Sequence, residues 1–400
     1  MNKERKIKMT LTAISTYEAL TEEAAITLAA EFLPEGSKLE CREIGDGNLN
    51  YVFRVTDAHS GKGIIIKQAL PYAKVVGESW PLTLKRAAIE AAALQKHGEF
   101  VPALVPEVYG TDERLAYTIM EDLSHLTIAR EGLIHGKSYP NLSTHIGEYL
   151  AETLFHTSDF ALHPFEKKRL AAEFSNPELC KITEDLIFTD PFFDHDTNDF
   201  EPALRQTVEA IWNNDALKLE AAKLKRSFLT EAEALLHGDL HTGSIFADDN
   251  ETKVIDPEFA FYGPIGFDVG LFIANLIAQG ITRNGEGRKT IVGHIENTWN
   301  VFETRFSELW ESKGIEDFRE VPGYRQAVLE KIFRDTLGFA GCELIRRTIG
   351  LAHVKDLDGI EDDTLRIQLK KQALQFGETL ILKRNELTSI DDVTALIEER

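Results

Sequence analysis

The sequence predicts an α+β chain of two lobes, a β-rich small lobe over residues 1–123 and a larger, mainly helical lobe over 124–400. Three observations lead there. A chain of 400 residues exceeds what one small core organises. Short runs rich in β-branched and aromatic residues, separated by Gly-bearing turns, fill the chain as far as Glu121. Beyond Ser124, apolar residues recur at helical spacing over long stretches.

The elements follow in order. Tyr17 to Phe32 has helical spacing, with Thr16 or Thr21 as its N-cap, and Pro34-Glu35-Gly36 ends it. Leu39 to Ile44, Tyr51 to Thr56 and Gly63 to Gln68 read as strands. The first two are joined by Gly45-Asp46-Gly47-Asn48-Leu49-Asn50, the next two by a turn with Ser60-Gly61-Lys62-Gly63. Val75 to Pro81 is expected as a loop, and Leu82 to Lys96 as a helix carrying Glu90 beside its apolar face. Val105 to Gly110 and Leu115 to Glu121 form a further hairpin, and Glu121-Asp122-Leu123 links the lobes.

In the large lobe, helices are expected over Leu142 to Phe155, Glu178 to Ile187, Val208 to Ser227, Val269 to Ile281, Thr290 to Trp310 and Gln326 to Arg347. Two final helices, Glu361 to Glu378 and Ile390 to Glu398, read as solvated faces or a subunit contact. The acidic, aromatic run Phe188 to Phe200 is not a calcium loop of the EF-hand kind. Counted from Asp194, its sixth and twelfth positions are Asp199 and Arg205, where Gly and Glu are required. It is expected to be a structural or substrate-side loop.

The chemistry concentrates at His237-Gly238-Asp239-Leu240-His241 and Val254-Ile255-Asp256-Pro257-Glu258. An apolar lead, Ala234-Leu235-Leu236, runs into a loop. A hairpin with the turn Asp248-Asp249-Asn250 then delivers two more carboxylates at a strand end. Phosphoryl transfer to a hydroxyl needs a carboxylate to orient the attacking oxygen and accept its proton. It also needs carboxylates that hold a metal on the nucleotide phosphates. Asp239 suits the first task, Asp256 and Glu258 the second. Gly238 permits the sharp turn before Asp239, and Asp268 is an N-cap or a brace for the loop. The competing reading is a surface acidic loop with a buried histidine.

These residues resemble the aminoglycoside and choline kinase superfamily, whose loop reads roughly His-Gly-Asp-x-x-x-x-Asn. Here the last position is Ser244, so one usual metal ligand is missing, and Asp256-Pro257-Glu258 adds a carboxylate that could replace it. That combination is similar to the methylthioribose kinase family. So are Pro71-Tyr72-Ala73-Lys74, Gly77-Glu78-Ser79-Trp80-Pro81, Phe188 to Asp194 and Gly341 to Leu351, which extend the resemblance from about Tyr17 to Asp358.

The resemblance implies a two-lobed protein-kinase-like fold and ATP-dependent phosphorylation of the 1-hydroxyl of 5-methylthioribose in methionine salvage, in a cytoplasmic homodimer. It assigns ATP to Asn50, Lys67, Glu121, Asp122, Leu123, Asp256, Pro257 and Glu258, with Mg²⁺ on Asp256 and Glu258. The sugar falls to Asp239, Arg346 and Arg347. Gly45 and Gly47 would let the backbone approach phosphate, and Lys67 would be the phosphate-binding lysine with Glu90 as its partner, unless Glu90 is merely solvated. Trp80 lies over the active site or packs on the small lobe. Adjacent helix residues point about 100° apart, so at most one of Arg346 and Arg347 is expected to be fully interior, either at the active site or in a structural ion pair.

The formal net charge of −22 argues against nucleic acid and an anionic membrane surface as partners. The three cysteines, Cys41, Cys180 and Cys342, form no Cys-x-x-Cys pair and read as reduced thiols. The basic start is followed by no uninterrupted apolar run before Glu18 and Glu22, so no secretory leader is expected. Two rival functions stand beside the kinase. One is a kinase of another alcohol, such as an aminoglycoside, choline or homoserine. The other is a nucleotide-binding pseudokinase module, which the presence of Lys67, Asp239 and Asp256 together disfavours.

Overall fold

The computed structural model describes residues 17–398 apart from 35, 45–49 and 74–76, and leaves the side chains of 73–81 undescribed. Two compact units emerge. The first takes the chain up to Ala91 together with Val108–Asp122, and the second Ala92–Glu107 together with Leu123–Arg400. The segment 92–107 therefore groups with the second unit, across the boundary expected from the sequence.

The first unit is built on an antiparallel sheet of β1 (Leu39–Glu43), β2 (Asn50–Asp57) and β3 (Gly63–Ala69), completed by β6 (Val108–Asp112) and β7 (Tyr117–Glu121) in the order β1-β2-β3-β7-β6. Between β3 and β6 lie β4 (Tyr72–Ala73) and β5 (Gly77–Pro81), an antiparallel ribbon, so the loop expected over Val75 to Pro81 is in part a strand. Alternation along β2 buries Phe53 and Val55, which join Ile64, Ile66 and Ile119 in one apolar cluster.

Helix α1 (Glu22–Ala29) covers that cluster with Ala25 and Ala29. It is shorter than its apolar spacing suggested. Thr21 is its cap, accepting from Ala24 N at 3.2 Å. The preceding residues are held out of the helix by buried Gln68, whose amide accepts from Leu20 N and donates to Glu18 O, both at 2.8 Å. Helix α2 (Lys85–Gly98) follows the ribbon.

The second unit begins with β8 (Thr127–Ile128), α3 (Ala129–Ile134), α4 (Leu142–His156), α5 (Pro164–Glu173) and α6 (Pro177–Phe188). The helix expected over Val208 to Ser227 is two, α7 (Arg205–Trp212) and α8 (Asp215–Thr230). Asn214 breaks them by leaving the helical region and accepting from Leu217 N at 3.1 Å as the cap of α8.

Two small ladders then frame the loops of interest. β9 (Ala234–Leu236) pairs with β12 (Phe261–Gly263), and β10 (Ile245–Ala247) lies between β11 (Thr252–Val254) and β8.

The core of this unit is α9 (Gly266–Ile281), buried at every residue, which explains why it carries the longest apolar stretch of the chain. It packs against α10 (Gly285–Lys313) and α11 (Tyr324–Ile349). After the short α12 (Lys355–Asp358), helix α13 (Asp363–Lys383) crosses α11 so closely that a Cβ on Gly341 would lie 2.5 Å from Gly377 O. The small residues of Ala340-Gly341-Cys342 permit that crossing.

The last two helices, expected as solvated faces or a subunit contact, each also bury an apolar face. In α13, Leu369, Ala373, Phe376 and Leu380 recur on one buried face, and α14 (Ile390–Glu398) buries Ile390, Val393 and Ile397 beside α10. Their charges occupy the outer faces and masked this periodicity.

Among the described residues no helix is long and apolar enough to cross a membrane. The three cysteines are free, and burial pushes the Cys41 thiol up to about 11 and the Cys180 thiol up to about 12. Neither is a thiolate near neutral pH.

Candidate active site

The two ladders place the loop 237–244 beside the turn 255–260. Gly238 has φ +85°, and a Cβ there would fall 2.2 Å from Phe259 O, so glycine serves both the turn and the close approach. Asp268, inside α9, accepts His237 N at 2.6 Å and Gly238 N at 3.0 Å. It is a brace for the loop and not a helix cap, since Ile265 stands at the cap position. Burial raises the Asp268 carboxyl above its usual range, and His237 with the two backbone N–H groups opposes this. His237 ties the loop to the turn. Its Nε2 donates to Ile255 O at 2.8 Å, while its Nδ1 accepts from Asp239 N at 3.3 Å.

Asp239 is thus presented from a loop held at both ends, with 29% of its side chain exposed. Its Oδ1 accepts from Arg346 Nη2 at 3.2 Å and from Arg347 Nη2 at 3.3 Å, and its Oδ2 lies 3.5 Å from His241 Nε2. Burial alone would raise this carboxyl. His241 and the two arginines outweigh it and hold Asp239 well below the usual carboxylate range.

Both arginines are interior, at 7% and 8% exposure, which corrects the expectation that at most one would be. Glu343 is the reason. Its carboxylate, with no exposed surface, accepts Arg346 Nε at 2.6 Å and Arg347 Nε at 2.7 Å. Positions three and four residues along a helix flank the same turn, so two stems that diverge at the backbone converge on one carboxylate. The ion pair and the contact to Asp239 are made by the same guanidinium groups. Glu343 stays below its ordinary range because the arginines outweigh its burial.

Ser244, which stands where the resembled loop has Asn, is buried, and its hydroxyl accepts His241 N at 3.1 Å and donates to His241 O at 2.9 Å. Its hydroxyl is thus engaged in closing the loop. Asp256 has φ 63° and ψ 42°, a left-handed conformation uncommon for a residue with a Cβ. Pro257 and Glu258 continue as a single 3-10 turn, anchored by Asn176 Nδ2 donating to Glu258 O at 2.9 Å.

Among the described residues no three His, Cys, Asp or Glu side chains cluster as a metal cage. Two carboxylates on one turn still suit a hard divalent ion that completes its shell with nucleotide phosphates and water.

The sequence-predicted residues of the first unit, and Leu123 that follows them in the second, have the following partners. Lys67 Nζ donates to Glu90 Oε1 at 2.8 Å with both side chains buried, so Glu90 is not a solvated residue. Asn50 opens β2, and its Oδ1 accepts from Arg86 Nη2 at 3.1 Å. Glu121 ends β7, Asp122 Oδ2 accepts from Arg54 Nε at 2.7 Å, and Leu123 O accepts from Leu126 N at 2.9 Å. Gly45, Gly47 and the side chain of Trp80 lie outside the described residues.

Sequence reasoning missed Glu343, His241, Arg86 and Arg130. The spacing of Glu343 to the arginine pair could have signalled the first. The others carry no local signal.

A loop carboxylate under two buried arginines, beside a turn bearing two further carboxylates, is equipment for phosphoryl transfer to a hydroxyl. Residues 40–288 match the model of the phosphotransferase enzyme family. The methylthioribose kinase of Geobacillus sp. (strain WCH70) is 62% identical over 96% of this chain and 96% of its own. That of Geobacillus thermodenitrificans (strain NG80-2) is 60% identical over 98% and 99%. The Bacillus pumilus (strain SAFR-032) methylthioribose kinase is 55% identical over 98% and 99%. The chain belongs to the methylthioribose kinase family within these phosphotransferases. It is a kinase, and membership of this family implies ATP as the phosphoryl donor together with a divalent metal.

Proposed function

We propose that the enzyme transfers the γ-phosphoryl group of ATP to the 1-hydroxyl of 5-methylthioribose, giving the 1-phosphate in methionine salvage. The observation that carries this reading is the convergence of Arg346 and Arg347 on Asp239 over a buried Glu343, in a chain so similar to methylthioribose kinases along its whole length.

Asp239 accepts a hydrogen bond from the 1-hydroxyl and aims its oxygen at the γ-phosphorus. As the new O–P bond forms, the bond from γ-phosphorus to the β–γ bridging oxygen breaks, ADP leaves with that electron pair, and the hydroxyl proton passes to Asp239. A carboxylate held so far below its usual range is a weak base, so the proton moves late, when the attacking oxygen has become acidic. The two guanidinium groups are placed to receive charge on the transferring group, because a planar fork matches phosphate oxygens.

In this reading Lys67, held by Glu90, binds the nucleotide phosphates, and Asn50 contacts the nucleotide. The backbone of Glu121, Asp122 and Leu123 reads adenine. Asp256 and Glu258, with Pro257 fixing the turn, hold Mg²⁺, which neutralises phosphate charge. The reading also takes the enzyme as a cytoplasmic homodimer, on the strength of the family resemblance.

The test is ADP release with Mg-ATP and a panel of 5-methylthioribose, ribose, choline, homoserine and an aminoglycoside. Selective turnover of methylthioribose is expected. Selectivity for another alcohol would replace the substrate, and silence with ATP bound would remove the catalytic reading. Glu258→Gln is expected to raise the Mg²⁺ concentration needed for half-maximal rate about tenfold or more, since it removes one of two anionic ligands. An unchanged Mg²⁺ titration would take Glu258 out of the metal site.

A further inference from the structure

Asp239 has a third neighbour that the reaction scheme leaves unused. His241 lies two residues on, its ring half-buried with 17% of the side chain exposed, and its Nε2 is 3.5 Å from Asp239 Oδ2. Its other ring nitrogen, Nδ1, receives the backbone N–H of Gly243 at 2.9 Å. A nitrogen that accepts carries no proton, so a neutral imidazole must bear its proton on Nε2, facing the carboxylate.

The neutral form is favoured by what surrounds the ring. Arg130, from α3, closes on the same turn. At Gly243 a Cβ would stand 2.8 Å from Arg130 Nη1 and 2.9 Å from His241 Cε1, so the guanidinium and the imidazole both close on this glycine. Arg130 is itself fixed, with Nη2 donating to Asn275 Oδ1 at 2.7 Å and Nε 3.1 Å from Asp356 Oδ2. Burial lowers the His241 pKa. Arg130 and Arg347 act in the same direction, and Asp239 opposes them.

We propose that His241 is a positioning residue for the catalytic carboxylate. Its Nε2–H, set by the Gly243 N–H on the opposite nitrogen and backed by Arg130, holds Asp239 so that Oδ2 turns one lone pair to the acceptor hydroxyl while Oδ1 stays with the arginines. The 3.5 Å separation closes to hydrogen-bond length when substrate completes the site, as contacts at such sites commonly tighten on binding. This rests on Asp239 receiving the acceptor's proton, as proposed above.

Two substitutions separate positioning from mere loop structure. His241→Asn places an amide oxygen near the Nδ1 position, keeping an acceptor for Gly243 N–H but losing the reach to Asp239. His241→Gln reaches Asp239 with an amide N–H and gives up the bond to Gly243. A positioning role makes Gln the better enzyme. kcat is expected to fall on the order of 10- to 100-fold in His241→Asn, the range for losing a hydrogen bond to a charged group. It should return to within about threefold of wild type in His241→Gln, with KM for ATP unchanged in both. His241→Asn equal to or better than His241→Gln, beside an active wild-type enzyme, overturns the proposal. A wild-type enzyme that phosphorylates nothing in the panel overturns instead the function it rests on. A measurement independent of variant folding is the ¹H–¹⁵N histidine spectrum of the wild-type protein. The Nε2–H tautomer at His241 supports the assignment, and an Nδ1–H tautomer or an imidazolium at neutral pH overturns it.

Discussion

Asp239→Ala is expected to bind ATP with unchanged affinity and to turn over about 10²–10⁴-fold more slowly. The carboxylate faces the arginine pair and the His241 ring together, and part of it remains exposed for a substrate oxygen. Nucleotide binding is assigned to other residues, so calorimetric titration with ATP should not change while kcat collapses. Asp239→Asn keeps the shape and loses the charge and the basicity, and should be as slow as the alanine variant. A kcat within tenfold of wild type in either variant would show that the proton goes elsewhere. An asparagine variant much faster than the alanine one would reduce Asp239 to an orienting group.

Glu343→Gln is expected to destabilise the fold by about 3–5 kcal/mol at neutral pH, the range for breaking a buried ion pair. The carboxylate has no exposed surface and takes one short bond from each of two buried guanidinium groups. Removing its charge leaves Asp239 as the carboxylate still bonded to both cations. The midpoint of denaturant unfolding reads this directly, and a loss under about 1 kcal/mol would show that the arginines find other partners or reach water. The same change should alter the acid side of the stability profile. Glu343 has a folded pKa below its unfolded one, because Arg346 and Arg347 outweigh its burial. Its contribution is therefore fully present above the ordinary carboxylate pKa and is lost as pH falls through the lower folded value. Glutamine removes that titration, so the variant should lose less stability than wild type over the same acid step. Activity should fall with stability, since arginines no longer held from below cannot hold their place above Asp239.

Several elements were legible because their signal is local. Runs of β-branched and aromatic residues between Gly-bearing turns marked β2 and β3, and the run Ile64-Ile65-Ile66-Lys67 put a cation in a buried strand whose partner, Glu90, could be named from the next helix. The apolar run Val269 to Ile281 announced a helix, and the structure buries α9 on every side. Where the expectations failed, a neighbour had intervened. Gln68 holds residues 18–20 out of α1, and the outward charges of α13 hid an apolar face that packs chiefly on α11.

The same division runs through the site. By itself the sequence singled out the candidates for the chemistry, because chain direction along a strand and the turn allowed by Gly238 are local properties. Asp239, Asp256, Glu258 and the pair Arg346-Arg347 could be named from it. Only the tertiary structure decided which of these charges meet, and on which atoms. A guanidinium can be buried only if carboxylates come to it, and here one comes from the preceding helical turn and the other from a loop more than one hundred residues away in the chain. The His241 tautomer depends likewise on a backbone N–H and on Arg130, brought to the loop from a separate helix. Periodicity sets the direction in which a side chain leaves its own backbone, but its partner is set by how separate elements pack.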